Sequence, residues 1–430
     1  MKKIGAIILF CLFVSQANAQ VKTVRAQAKI INEILTDRFN NLLPSLMQKN
    51  NIDCWVLMTR EYNEDPIVKT MLPAEWLAAR RRTILVFYNN PQTKKLEKYA
   101  IARYAVGTEI KAAWDVDKIP NQWEALASLL KQLNPSVIAI NTSADFGHAD
   151  GLDHTEYTEF MSCLNNDQKA KVISSAPLAV AWLETRTAKE MQYYPTLLQI
   201  THAIIKEGFS NKVIIVDQTT TTDLEWWFRQ KLSDMGLTTW FHPSVEIQRR
   251  SSKNADNVVH RGDFLHVDFG ITYLRLNSDV QEQAYVLLPD EKEVPANLVA
   301  AFEQTNQLQD ILTNSFGTGK SGNEILAIAL QIAKSKGIQP SIYTHPIGMH
   351  GHAAGPTIGM WDMQNGVPGS GDYKMNPNTC YSIELNALHN LKDWDKPVRV
   401  ALEQNGFFDG SSFNYIDGRQ TKIIAIDFDK

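Results

Sequence analysis

The sequence predicts an α/β unit followed by an α+β unit, and three observations predict it. Between about residues 25 and 175, apolar runs of strand length alternate with runs at helical spacing, the pattern of helices layered on a sheet. From about residue 238 onward, strand-like and helix-like runs segregate, as in α+β folds. The change falls near Leu183-Glu184-Thr185-Arg186, with no repeat, low-complexity tract or flexible linker elsewhere. The chain has 430 residues, 44% hydrophobic and 21% charged, with only 4 Cys, which excludes a disordered polymer and a disulfide-stapled mini-protein. The expected division is 1–19 as a leader, 20–178 as the first domain and 179–430 as the second.

The elements follow in order. Ile30, Ile34, Phe39, Leu42 and Leu46 recur at helical spacing across 25–50. Cys54-Trp55-Val56-Leu57-Met58 and Thr83-Ile84-Leu85-Val86-Phe87-Tyr88 read as buried strands, the second ended by Asn89-Asn90-Pro91. A helix over 122–133 and a strand over 136–140 complete the first domain's alternation. A long amphipathic helix is expected from near Arg186 to Phe209, then a short apolar strand Val213–Val216 and a helix Asp223–Met235. Strands dominate 238–288, and helices are expected at 296–314 and 322–336. Cys54, Cys163 and Cys380 are expected to be buried free thiols.

The first residues have the three-part pattern of a secretory signal peptide. Lys2 and Lys3 precede the apolar run Ile4–Val14, and Ala17 and Ala19 sit at positions −3 and −1 of a cut before Gln20. The expected product is therefore exported, to the periplasm or the medium. No later segment approaches 18 unbroken apolar residues, so no membrane association is expected after the leader is removed. The net charge of −4 offers no global basic field for nucleic acid.

Four stretches could carry chemistry. Asp268 and Asp279 sit in strand-like runs, Phe264–Gly270 and Asp279–Leu288, joined by a segment short enough for a hairpin. If the hairpin closes symmetrically about them, they face each other, with Cβ atoms about 5 Å apart. Such a pair is costly unless one carboxyl takes a proton or a cation lies between them; the alternative is that one or both point to solvent. His345, His350 and His352 fall within eight residues of a Gly/Pro-rich stretch, Thr344 to Pro356, that cannot be a regular helix. A histidine cluster of that kind suits a metal ligand or a proton carrier. Glu384 and Glu403 each stand in an apolar strand, Cys380–Leu385 and Val398–Glu403, where an acid needs a partner or a metal.

An Asp, a second Asp eleven residues on, His-x-x-Gly-x-x-x-His, then two separated Glu, in that order, resembles the pita-bread metallopeptidases. That family includes aminopeptidase P, prolidase and methionine aminopeptidase, and creatinase shares the fold. The entry Leu183-Glu184-Thr185-Arg186-Thr187-Ala188-Lys189-Glu190-Met191 and the preceding α/β domain resemble the aminopeptidase P and prolidase branch. The resemblance implies an α/β N-terminal domain and an α+β pita-bread catalytic domain. It also implies a dinuclear site ligated by Asp268, Asp279, His345, Glu384 and Glu403, with Asp279 and Glu403 bridging. Glu384 would also be the proton shuttle, and His352 the substrate-facing histidine, with His350 as the alternative for that role or for the ligand position, although the residue seven places after it is Thr357, not His. Four carboxylates and one imidazole make a hard site that favours Mn²⁺, with Zn²⁺, Co²⁺ or Fe²⁺ as alternatives. The implied substrate is a short peptide, cleaved by a metal-activated water before a proline at the second position. A homodimer is one assembly open to such a chain.

The sequence departs from the family in three places. The zone about seventeen residues before Asp268, where the family often has a histidine, reads Gln248-Arg249-Arg250-Ser251-Ser252. Leu385 replaces the usual proline after Glu384, and Val280-Gln281-Glu282 replaces the usual threonine-arginine pattern after Asp279. The cage is complete while the substrate side is altered. Three classes of function therefore stand: a dinuclear exopeptidase, a metal-free hydrolase on the same fold, and a binding protein with an inactive site. Gly317-Thr318-Gly319-Lys320-Ser321 resembles a truncated phosphate loop, but Asn314 stands where its first glycine belongs and a helix precedes it, so a helix–helix turn is expected.

Overall fold

The computed structural model describes residues 21–251, 253 and 256–429. The expected leader at 1–19 lies outside the described residues. Two compact units are present, one spanning Val24–Lys189 and the other running from Glu190 with residues 21–23.

The first unit is the expected α/β layer. Its strands are β1 (Cys54–Arg60), β2 (Arg82–Asn89), β3 (Leu96–Ile101), β4 (Lys111–Ala112), β5 (Ile138–Ile140) and β6 (Val172–Ser174), in spatial order β4-β3-β2-β1-β5-β6. β1 pairs antiparallel with β2 and parallel with β5. Six of the seven β1 residues are buried, as expected of a strand covered on both faces. The helix Gln122–Leu133 is capped by Asn121, whose side chain accepts from Trp123 and Glu124 N–H, and it stops where Asn134 turns left-handed at φ 44°.

This unit ends at Lys189, eleven residues after the expected division at 178/179. The helix Ala176–Glu184 belongs to it because Trp182 stacks on Phe39, ring centroids 5.8 Å apart, and the buried Arg38 donates to the carbonyls of Trp182 and Thr185. The expected long helix to Phe209 is broken into Ala188–Met191 and Tyr194–Gly208. Pro195 lacks an N–H and would clash with the preceding turn, so it sits in the first turn of a new helix instead. The expected strand Val213–Val216 is a run of turns, in which Val213 and Ile214 both donate to the carbonyl of Ser210.

The second unit is α+β. Its strands are β7 (Ser244–Gln248), β8 (Phe264–Phe269), β9 (Thr272–Tyr273), β10 (Leu276–Asn277), β11 (Val280–Val286), β12 (Pro340–Ile342) and β13 (His345–Ile347). They continue with β14 (Thr379–Ser382), β15 (Leu385–His389), β16 (Val398–Leu402), β17 (Asn405–Phe408), β18 (Phe413–Tyr415) and β19 (Ile424–Ile426). Three sheets matter for the site, ordered β19-β11-β8-β7, β12-β15-β16 and β13-β14-β17-β18. The helices Ala296–Asn314 and Gly322–Ser335 pack Leu298, Phe302, Ile325 and Leu326 into one core with Tyr381, Leu385 and Leu402. That core seats the strands whose ends carry the candidate residues.

Cys54, Cys163 and Cys380 are free; Cys54 and Cys380 are buried, whereas Cys163 is half-buried, its Sγ 3.1 Å from the carbonyl of Phe160.

Candidate metal centre

The five predicted ligands meet where the three sheets adjoin. Asp268 stands in β8, Asp279 immediately precedes β11, His345 opens β13, Glu384 lies between β14 and β15, and Glu403 follows β16. A backbone bridge between Gln281 and Glu403 ties β11 to the end of β16, with N···O distances of 3.0 and 3.3 Å. Thr344 Oγ1 donates to the carbonyl of Glu384 at 2.9 Å and fixes the turn that presents it.

The two aspartates do not face each other directly. In the β8–β11 pair, Asp268 stands opposite Gln281 and Phe269 opposite Val280. The two-residue turn is Leu274-Arg275, both with positive φ (54° and 64°), as a tight hairpin of this length demands. Its centre lies one residue past the midpoint of the aspartates, which moves the pairing by two residues. A shift of two keeps every side chain on its face. Asp279 is therefore the diagonal neighbour of Asp268 on the same face, and their oxygens still converge.

Ligand atoms of Asp268, Asp279 and Glu403 lie within 4.8 Å of one another, as do those of His345, Glu384 and Glu403. Nε2 of His345 is 3.5 Å from Oδ2 of Asp279, 3.8 Å from Oε2 of Glu384 and 3.5 Å from Oε1 of Glu403. Nδ1 of His345 is 2.9 Å from the carbonyl of Pro346, an acceptor that places the proton on Nδ1 and leaves the Nε2 lone pair for the carboxylate cluster. Oδ1 of Asp268, Oδ1 of Asp279, Oε1 of Glu403 and Nε2 of His345 are all buried without a hydrogen-bond partner. Orphaned buried acceptors converging on one point are what a cation would satisfy, so the donor set fits divalent ions.

Electrostatics point the same way. Burial, then the Glu403 charge, pushes the carboxyls of Asp268, Asp279 and Glu384 well above the usual carboxylate range. Burial tends to lower the His345 pKa, but Glu403 and Glu384 more than offset it and the net shift is upward. In the absence of a cation the cluster thus holds protons against like-charge repulsion.

His352 is brought to the cluster and His350 is not. A ligand atom of His352 lies within 4.8 Å of ligand atoms of Asp279 and His345, and its ring stands perpendicular to that of His345 with centroids 4.7 Å apart. The groups of candidate ligands among the described residues do not include His350. Trp240 sets this loop: its ring lies 5.0 Å from His352, and a Cβ on Gly351 would meet the indole at 2.2 Å. Only glycine allows that approach.

Several residues of the site were not singled out from the sequence. Gln281 bonds Glu384 and Glu403, and Asn405 holds the peptide of Asp279. The signal was present in its spacing, since Gln281 stands two residues after Asp279 and so shares its face of a fully buried strand. A cavity of about 410 Å³ adjoins Asp268 and Glu384 and is walled by Glu246, His266, Tyr343, Arg399 and Trp361. In the zone where the family often has a histidine, Gln248 exchanges two hydrogen bonds with the Arg399 backbone, Arg249 pairs with Asp263, and Arg250 reaches Tyr285 and Glu291. Those three side chains are committed to the scaffold.

This fold and site define a pita-bread domain of the metallopeptidase type, preceded by an α/β domain. Residues 196–407 match metallopeptidase family M24, and the second unit belongs to that family. The X-Pro aminopeptidase of Thermotoga maritima is similar in structure, with a TM-score of 0.64 and 14% identity over 89% of this chain and 100% of that one. The Xaa-Pro dipeptidase of Bacillus anthracis gives a TM-score of 0.58 and 15% identity over 94% and 100%. The N-terminal domain of a FACT complex subunit from chickpea, Cicer arietinum, gives 0.53 and 12% over 94% and 99%. No curated protein sequence matches the chain.

Proposed function

We propose that the chain is an exported, dinuclear metal-dependent exopeptidase that hydrolyses short peptides, with a preference for proline at the second position. The observation that supports it above all is the convergence of orphaned acceptors from Asp268, Asp279, His345 and Glu403. Asp268, Asp279, His345, Glu384 and Glu403 would hold two divalent ions, Mn²⁺ by the hardness of the set, which supply an activated water and charge for a developing oxyanion. The chain's own residues do the rest. Glu384, a carboxylate of the cage that also lines the cavity and whose Oε1 is held by Gln281, would be placed to take a proton from the activated water and return it. His352 is exposed beside the cage, placed to donate to the scissile carbonyl. The 410 Å³ cavity would take a short peptide end, with Trp361 and Tyr343 as its aromatic walls.

A panel of short peptides with proline, alanine or leucine at position two, assayed with Mn²⁺ and with chelator, tests this. Metal-dependent cleavage fastest before proline is the expected result; cleavage without that preference removes only the specificity. A second reading, an inactive binding protein on this fold, is kept by the altered residues after Asp279. Metal bound without cleavage of any peptide would select it. Export is checked by N-terminal sequencing of protein recovered outside the cytoplasm of an expression host, with Gln20 expected first.

A further inference from the structure

The cavity beside Asp268 and Glu384 is lined by polar side chains apart from two rings, Tyr343 and Trp361. Tyr343 is tied into the polar wall, its hydroxyl accepting from Nδ2 of Asn386 and Nη2 of Arg399, both at 3.2 Å. Trp361 is different. It lines the cavity yet is 76% exposed, between exposed Met360 and Met363. An indole that wet adds little to the core and keeps its apolar surface for a ligand.

The turn that carries Trp361 is fixed against β12. The N–H of Ile358 donates to the carbonyl of Thr344 at 2.9 Å. Gly359, at φ 74°, runs so close to β12 that a Cβ would meet the carbonyl oxygen of Ile342 at 2.1 Å. The N–H of Met363 closes the turn on the carbonyl of Met360 at 2.9 Å. Gln364 clasps the whole: its Nε2 donates to the carbonyls of Ile342 at 2.8 Å and Met360 at 2.7 Å, and its Oε1 accepts the N–H of Ile342 at 3.0 Å. The ring is thus mounted in advance, and a ligand that covers it carries no loop-ordering cost. The stretch that supports it leads directly into His345 of the cage.

Two residues of the cluster say which part of a peptide reaches Trp361. Glu384, which returns its proton to the leaving amine, is among the residues lining the cavity. His352, which donates to the scissile carbonyl, is not, and groups instead with Asp279 and His345. The leaving side of the peptide, beginning with its second residue, therefore enters the cavity. We propose that Trp361 is a specificity-determining residue, an aromatic platform that stacks on the apolar side chain of the substrate's second residue. A pyrrolidine ring or a leucine side chain covers the indole, whereas the methyl group of alanine leaves most of it wet. Proline is favoured for the apolar face of its ring, so leucine follows proline and alanine falls behind both. The inference rests on the peptidase reading above, and adds the residue that sets the second-position preference and the class of side chain it accepts.

Steady-state kinetics on tripeptides with proline, leucine or alanine at position two test it, together with calorimetric binding of the same peptides to Mn²⁺-loaded His352→Ala protein. The wild type is expected to favour the proline and leucine peptides over the alanine peptide by about tenfold, the lower end of the scale for one apolar contact. Trp361→Ala is expected to bring the three peptides together, with the loss falling on KM rather than kcat because the contact is made before and during the reaction alike. Trp361→Phe keeps a ring and is expected to keep the order. Gln364→Ala keeps the indole but frees its support, and is expected to move KM in the same direction by less. Selectivity unchanged in Trp361→Ala, or a change at the first position of the peptide in place of the second, would overturn the proposal and leave the peptidase standing. Selective binding that Trp361→Ala removes, without cleavage by the wild type, would support this inference and remove only the peptidase. Neither binding nor cleavage of any peptide would overturn both.

Discussion

Gln281, rather than Asp279, stands directly across the β8–β11 pair from Asp268. The hairpin thus places an amide, not a second carboxylate, at the closest point to Asp268. Asp279 reaches the same face on the diagonal, where opposed carboxylates are farther apart and a cation has room between them.

Asp279→Asn is expected to abolish the second ion and peptide cleavage together. The substitution keeps the shape and removes a charge whose oxygens lie in two of the three ligand groups. Elemental analysis after Mn²⁺ loading reads the stoichiometry; two ions retained per chain would show that Asp279 is not shared.

His352→Ala is expected to keep both ions and to lower kcat by about 10²–10³, the cost of one lost donor to a developing oxyanion. His350→Ala should change kcat little, since His350 does not join the cluster. The reverse pattern would reassign the loop's register.

Asn405→Leu is expected to cost about 1–3 kcal/mol of stability, the penalty of an unpaired buried group. The Asn405 amide accepts the Asp279 N–H at 3.0 Å and donates to its carbonyl at 2.9 Å; Ser382 Oγ, which accepts from Asn405 Nδ2 at 2.8 Å, donates to that carbonyl but not to the N–H, which the variant leaves unpaired. Denaturant titration of the metal-free protein measures the loss, and metal affinity should fall with it because the same peptide carries a ligand.

Metal removal should lower Tm, with a concentration-dependent recovery on adding Mn²⁺. Ligand held only by the folded state stabilises by about 2.7 kcal/mol at a hundredfold excess over Kd. A Tm that ignores both chelator and Mn²⁺ in differential scanning would contradict a metal site in this cluster.

Asp65 supplies a pH dependence in the first unit. Burial pushes its carboxyl up to about 6, although Asn141 and the N–H groups of Val68 and Ile67 favour the charged form. A raised acid pKa means that the folded state binds the proton more tightly, so the wild type gains stability as pH falls from about 6 towards 3.8. Asp65→Asn keeps a capping side chain and lacks that proton. The stability difference, wild type minus variant, should therefore rise as pH falls through this window, by at most about 1.4 kcal/mol per pH unit. Urea titrations at pH 7 and pH 4.5 giving the same difference would refute the assignment.

The sequence by itself determined the α/β-then-α+β order, the helices 122–133 and 296–314, and the residue types available to the cage. Those features are local: apolar spacing reports a helix or strand face without knowledge of what packs against it. It did not determine where the long helix breaks, because Pro195 could equally have kinked it, nor that the helix Ala176–Glu184 belongs with the first unit through Trp182 and Phe39. Nor did it determine the hairpin register. Strand period fixes which face a residue takes, but the turn fixes its partner, and the turn settled on Leu274-Arg275. The roles of Gln281 and Asn405 were decided by tertiary structure alone. Each bonds residues about 100 positions away or more, brought beside it when β11, β14, β16 and β17 meet at the ends of three sheets. Side-chain chemistry can be read from a string of residues, but which oxygens an amide holds depends on distances that only the packed sheets set.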